Sequence, residues 1–297
     1  MTGHISRALV LGGGGPLGIA WQAGLFGRLR HLGVELADAD LVLGTSAGSV
    51  VGAALTTGLD LAALADYVTG ALPTTPGTSA DLSGLIALTA GAVAASDTDE
   101  EAMALVGKYA LGAITVDESD FVGSAVFAAF SGTPWPDALR CTGINARTGR
   151  LRVSEAADGL ALPSALAASC AVPGLFPPVT LGDARYIDGG MLSPLNLPLA
   201  AGYDEIVIVS CFALTLPDGI VAPGAELGLS EIERLRAQGS KVTVIEPSPR
   251  LLKISGWGAD VMDSTRARSA YEAGIEQADA LYADAPTGLR ARTTRSS

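Results

Sequence analysis

A chain of 297 residues that is 48% hydrophobic and only 17% charged is long enough for one large α/β core or two small ones, and is too apolar for an extended or disordered protein. Its formal net charge of -12 argues against nucleic acid as a partner and against strong attraction to anionic lipid. Three cysteines without metal-ligand spacing and only two histidines argue against a zinc site and for reduced, buried thiols in a cytoplasmic chain.

Arg7-Ala-Leu-Val-Leu-Gly12 reads as a short apolar strand. Four glycines follow, and then a helix from about Leu17 to His31. Leu41 to Leu43 reads as a second strand and Ala47 to roughly Thr57 as a second helix. Strand, glycine turn and helix in repetition point to a parallel sheet covered on both faces. The uncharged runs 8–27 and 41–59 approach the length of a bilayer span. Gly12 to Pro16 and the turn at Ser46 interrupt them, so neither suits a spanning helix, and the first does not suit a signal peptide.

Residues 60–135 are less regular and read as a variable cap or insertion beside the sheet. Leu59 to Leu72 is helical in pattern, with Pro73 to Gly77 as its break. The apolar segment Leu82 to Ala95 suits a buried helix. Leu139 to Asn145 and Arg150 to Ser154 flank a hairpin turn at Arg147-Thr148-Gly149. A helix is expected over Pro163 to Ala171, and a short strand over Ala184 to Ile187. Glu205 to Ser210 and Lys241 to Ile245 read as further parallel strands, with a helix near Ser230 to Gln238 between them. Residues 259–282 read as a last amphipathic helix. The expected organisation is one domain over 1–282 and a mobile tail over 283–297.

Three motifs carry chemistry. In Gly12-Gly13-Gly14-Gly15-Pro16-Leu17-Gly18, bare backbone amides sit where a helix begins. Such a place suits a phosphate or the oxyanion of an acyl-transfer intermediate. Gly13-x-Gly15-x-x-Gly18 also fits a dinucleotide loop. That alternative wants an acid at the tip of the next strand, and Gly44-Thr45-Ser46 stands there instead. In Gly44-Thr45-Ser46-Ala47-Gly48, small residues flank a serine at a strand-to-helix turn, the pattern of a nucleophile elbow. Read alone, Ser46 suits a helix cap equally well. In Tyr186-Ile187-Asp188-Gly189-Gly190, an aspartate ends a strand. Read alone it is a turn acid.

As a set, in this order, the motifs resemble the patatin-like phospholipase family. Ala168-Ser-Cys-Ala-Val-Pro-Gly-Leu-Phe-Pro-Pro178, ahead of Asp188, resembles that family's segment at the same place. The resemblance runs from about Ala8 to Ser210 and is weakest over 60–135. It implies a three-layer α/β/α fold with a mostly parallel central sheet. It also implies a serine hydrolase of lipid acyl esters, such as a phospholipase A, lysophospholipase or lipid esterase. The implied nucleophile is Ser46 and the implied general base and acid is Asp188, with no histidine, metal or cofactor. Amides of Gly13, Gly14 and Gly15 are the implied oxyanion hole; Gly44, Gly48, Gly189 and Gly190 are the motif glycines. The implied partners are a lipid substrate and, transiently, a membrane or micelle surface; with them the segment Leu82 to Ala95 has two readings besides a buried helix, an acyl-chain groove or a contact with a lipid surface. Leu17 departs from the family, which commonly has a basic residue there. Two alternatives stand beside this reading: a nucleotide-binding protein using the glycine loop, and an inactive scaffold of the same family.

An aspartate is a weak base near neutrality, with an ordinary pKa of about 3.9. A buried position would raise it. His4 precedes the first strand and His31 ends the first helix, so both are expected away from Ser46.

Overall fold

The strands β1 (Arg7–Leu11), β2 (Leu41–Gly44), β3 (Leu139–Asn145), β4 (Leu151–Ser154), β5 (Val179–Leu181), β6 (Ala184–Asp188), β7 (Glu205–Val209) and β8 (Lys241–Ile245) form one sheet. Its order is β5-β6-β3-β2-β1-β7-β8, with β4 on the other side of β3. The β3-β2-β1-β7-β8 part is parallel, and β4, β5 and β6 pair antiparallel. The computed structural model describes residues 4–69, 72–74, 82–216 and 219–284. Pro76, Gly77 and the tail from residue 285 fall outside them.

The central strands are apolar at nearly every position because both faces are covered. Leu9, Leu11 and Val42 point into the larger core, with α1 (Gly15–His31), α2 (Ala47–Thr57), α3 (Leu61–Thr69) and residues of the C-terminal helix. Ala8, Val10, Leu41, Leu43, Ile206 and Ile208 point the other way, against Leu195, Leu197, Ile232 and Leu235. Helices on both faces of a mostly parallel sheet are the expected three-layer α/β arrangement.

The helix α1 begins at Gly15, two residues earlier than its apolar pattern suggests, with Pro16 in its first turn. Proline suits that place, where an N–H has no intrahelical partner. Residues 60–135 are more regular than their composition implies. They hold α3, α4 (Ser83–Ala94), α5 (Asp99–Gly112), α6 (Glu118–Val122) and α7 (Ala125–Ala128). Much of this segment is core. Phe121, Phe127 and Phe130 are fully buried, and Phe121 stacks on Phe176 at 4.5 Å. Met103 and Val106 of α5 pack against Ile144 and Ile187 of the sheet.

The hairpin β3–β4 forms as expected, with Gly149 in the left-handed region at φ 70°. The helix α8 spans Leu162–Ser169 and α9 spans Glu226–Ala237. The expected helix over 259–282 is realised only in part. A short helix α10 (Pro249–Ile254) and irregular turns precede α11 (Ala267–Asp284). Arg266 there pairs with both Asp260 and Asp263, and these side-chain bonds hold turns in place of a first helical segment.

Candidate active site

The site is built by register on β3. Cys141 of β3 pairs with Gly44 of β2 on one side and Ser154 of β4 on the other. Further along, Gly143 pairs with Arg152 of β4 and Asp188 of β6. Thus β2 and β6 share one edge of β3 and run towards each other. Their carboxyl ends meet across Cys141–Gly143, bringing the turn at Ser46 beside Asp188. A second fixed point is the Asp188 N–H, which donates to the Ala171 carbonyl at 3.0 Å.

Ser46 has φ 52° and ψ -121°, a conformation disfavoured for a residue with a side chain. The surrounding contacts impose it. The Ser46 N–H donates to Ser169 Oγ at 2.9 Å, and Ser49 Oγ donates back to the Ser46 carbonyl at 2.7 Å. The Thr45 N–H donates to the Leu11 carbonyl at 3.0 Å. Glycine is required on both flanks: a Cβ on Gly44 would overlap Ser49 Cα, and one on Gly48 would overlap the Leu11 carbonyl. Such a strained, over-determined serine at a strand-to-helix turn is an elbow geometry.

Asp188 is 2% exposed. Burial pushes its carboxyl up from 3.8 to about 6; bonding from the Ser46 side chain and from the Gly190 N–H moderates the rise. The Gly190 N–H reaches Oδ1 at 2.7 Å. Gly189 lies against Thr142, where a Cβ would overlap its Oγ1, so the turn after Asp188 needs glycine to close onto β3. The group is therefore more basic than an exposed aspartate, and it lies beside the Ser46 hydroxyl.

The glycine loop lies across from this pair. Gly13 packs on Ser46; a Cβ there would stand 3.2 Å from Ser46 Cβ. Its N–H is already donated to the Pro194 carbonyl at 3.1 Å, as the Gly12 N–H is to Val209 at 2.9 Å. The Leu17 N–H goes to the Val261 carbonyl at 3.2 Å. Among the described residues, no protein acceptor takes the amides of Gly14 and Gly15. Of the three amides expected to bind an oxyanion, two are thus open and Gly13 is engaged.

Residues without a motif complete the site. Asn196 sits in the left-handed region at φ 50° and is 3% exposed. Its amide nitrogen reaches Thr45 Oγ1 at 3.0 Å, the Ser193 carbonyl at 2.8 Å and the Gly189 carbonyl at 3.3 Å. Thr142 Oγ1 donates to Thr45 Oγ1 at 2.9 Å. Asn196 and Thr142 therefore tie the serine turn to the aspartate turn. A polar residue between Leu195 and Leu197, of a type that tolerates the left-handed conformation, was the available signal for Asn196. Ser169 lay inside the quoted 168–178 segment, but nothing in its surroundings marked its hydroxyl as the partner of Ser46.

The histidines are elsewhere. His4 is exposed and bonds Asp40 at 2.8 Å beside the start of β1. His31 is the last residue of the 17-residue helix α1, 16 residues on from Gly15, which at about 1.5 Å per residue is roughly 24 Å from the glycine loop. All three cysteines are free and buried. Burial raises the Cys170 thiol well above its ordinary value, with the nearby Asp188 charge adding to the effect. Cys211 is pushed up to about 12 by burial and packs against Gly14. Leu17 is 1% exposed and belongs to the core, so the family's usual basic position is directed inward here. α4 is not the buried helix its composition suggests, since Ala92 alone of its residues is buried. Among the described residues, no three metal-ligating side chains cluster and no helix is long and apolar enough to cross a membrane.

A sequence comparison with individual curated proteins finds no match. The family profile described as patatin-like phospholipase matches residues 9–201, well over half of the chain. That span runs from β1 through the glycine loop, the serine turn and Asp188 to just past Asn196, so it contains every residue that the register of β3 gathers. The mixed, mostly parallel sheet agrees with it, and the chain belongs to the patatin-like phospholipase family, whose members are generally serine lipid acyl hydrolases.

Proposed function

We propose that this protein hydrolyses lipid acyl esters through a Ser46–Asp188 dyad and an acyl-enzyme. The observation that carries the reading is the buried Asp188 carboxylate, raised to about 6, beside the Ser46 hydroxyl. At neutral pH such a group is mostly ionised, yet holds a proton far better than an exposed aspartate. Ser46 Oγ attacks the ester carbonyl carbon while its proton passes to Asp188, so no free alkoxide forms. The developing oxyanion lies at the open amides of Gly14 and Gly15. As the intermediate collapses, the Asp188 proton goes to the leaving alcohol. Water then attacks the acyl-serine and gives its proton to Asp188. Return of that proton to Ser46 Oγ restores the enzyme and releases the fatty acid.

The same loop speaks against a nucleotide. A dinucleotide fingerprint cradles a pyrophosphate on several amides at a helix N-terminus. Here Gly12, Gly13 and Leu17 donate within the protein and Pro16 has no N–H. Two adjacent open donors fit one oxygen better than two phosphates.

Hydrolysis of a p-nitrophenyl ester by wild type, Ser46→Ala and Asp188→Asn tests the reading. Turnover by wild type, with loss of about 10²-fold or more in each variant, is the expected result. Undiminished activity in either variant removes the dyad. A fluorophosphonate probe that labels wild type but not Ser46→Ala separates a nucleophile from a helix cap.

A further inference from the structure

Residues 82–96 carry no charged side chain. The helix within them, α4, turns Leu85, Leu88, Thr89 and Ala92 inward, packing on α5. Its outward face is Ile86, Ala87, Ala90, Val93 and Ala94, with Ile86 66% and Val93 52% exposed. A surface helix of a soluble domain ordinarily turns charge to water on that side, and one that is apolar all round is buried in something. The helix also stands beside the catalytic turn. Leu85 packs into a cluster with Ile187, Met191 and Leu192, the residues on either side of Asp188 and its glycines.

Three observations decide what covers this face. The first is area. A helix of 12 residues is about 18 Å long and offers one face on the order of 200 Å², against roughly 800 Å² per partner in a stable protein interface. A second copy or a folded partner needs more. The second is depth: a lipid surface needs no matching relief and accepts an apolar face to about 5–10 Å. The third is charge. The face is neutral, its carboxyl end is followed by Asp97, Asp99, Glu100 and Glu101, and the chain carries -12 overall. Glu100 is paired with Arg150, but the others leave that end acidic. An anionic bilayer would repel it.

We infer that the outward face of α4 docks the protein on a lipid surface of zwitterionic headgroups. The inference rests on the lipid-ester reading for its purpose, the presentation of acyl esters beside Asp188, but not for its test. Binding is measured with the full-length Ser46→Ala protein, which separates docking from hydrolysis. The probes are phosphatidylcholine vesicles and phosphatidylglycerol vesicles in a flotation assay. Flotation with phosphatidylcholine is expected, with weaker binding to phosphatidylglycerol at low salt. Ile86→Glu and Val93→Glu are each expected to weaken binding to phosphatidylcholine by about tenfold or more, with an unchanged melting temperature. In the wild-type background both are expected to keep the kcat/KM for a soluble short-chain ester. Absence of flotation with phosphatidylcholine overturns the inference, as does preference for phosphatidylglycerol or undiminished flotation of the glutamate variants. A dimer in sedimentation that either glutamate disperses also overturns it, in favour of a second copy. If wild type hydrolyses no ester while Ser46→Ala still floats, the catalytic reading fails and the docking surface stands.

Discussion

Asp188→Asn should cost activity and raise stability. The carboxyl has a pKa of about 6 in the folded protein against 3.8 ordinarily. At about 1.4 kcal/mol per pH unit, that interval makes the ionised group about 3 kcal/mol worse in the fold than in the unfolded chain. The sign follows from proton binding. Between pH 3.8 and about 6 the folded state holds the proton and the unfolded state has lost it, so stability falls as pH rises through that window. Above about 6 the loss is complete. An asparagine is neutral throughout, can still accept the Gly190 N–H, and can donate to Ser46 Oγ. Relative to wild type it should stabilise by about 3 kcal/mol at pH 8 and by only about 1 kcal/mol at pH 4.5. At roughly 2 °C per kcal/mol for a domain of this size, the melting temperature should rise by about 6 °C at pH 8. Thermal unfolding of both proteins from pH 4.5 to 8 reads it. An unstabilised variant at pH 8, or a difference that does not narrow towards pH 4.5, would refute the claim that burial strains this carboxylate.

The same number fixes the rate profile. If Asp188 must be ionised to accept the Ser46 proton, kcat/KM should rise tenfold per pH unit below about 6 and level above it. A histidine would give a similar limb. His4→Gln with His31→Gln should therefore leave the limb in place, because both lie away from the site; its disappearance would assign the base elsewhere.

Three further substitutions probe the supports. Asn196→Ala should lower both melting temperature and kcat, because it removes one of the two donors to Thr45 Oγ1 and takes the same amide away from the carbonyls of Gly189 and Ser193. Asn196→Gly keeps the left-handed backbone and separates that strain, about 1–3 kcal/mol, from the lost bonds. Gly14→Ala should reduce kcat about 10²- to 10³-fold, since its Cβ would overlap Cys211 and displace the open amides; adding Cys211→Gly should recover part of the rate in the same ester assay. Leu17→Arg should not restore a useful cation but destabilise by several kcal/mol, seen as a lower melting temperature or insolubility.

Some of this molecule is local and some is not. The strand–glycine–helix units were legible because each depends on near neighbours. Ala47 to Thr57 is bounded as its pattern implies, since a strained serine precedes it and Gly58 ends it in the left-handed region. The helix expected over 259–282 was misjudged for the opposite reason. Asp260 and Asp263 on Arg266 outweigh an apolar period that continues in the letters alone. Leu17 and α4 show a second limit. Apolar composition states what a segment prefers to avoid, not which neighbour covers it, so Leu17 in the first turn of α1 proved buried and an apolar helix proved exposed.

The meeting of Ser46 and Asp188 belongs to neither motif. It follows from pairing on β3, where one edge accepts β2 as far as Cys141 and β6 from Gly143 onward. Thr142, the residue left between them, faces both turns and binds Thr45. The same ladder sets the chemistry. An aspartate in a glycine turn is ordinarily a solvated anion with little basicity. Antiparallel pairing against β3, with its N–H bound to Ala171, holds this one buried at the end of β6, out of water. The raised basicity of this carboxyl thus comes from where the strand ends rather than from the residue type, which on the proposed reading is how a serine hydroxyl is served without a histidine.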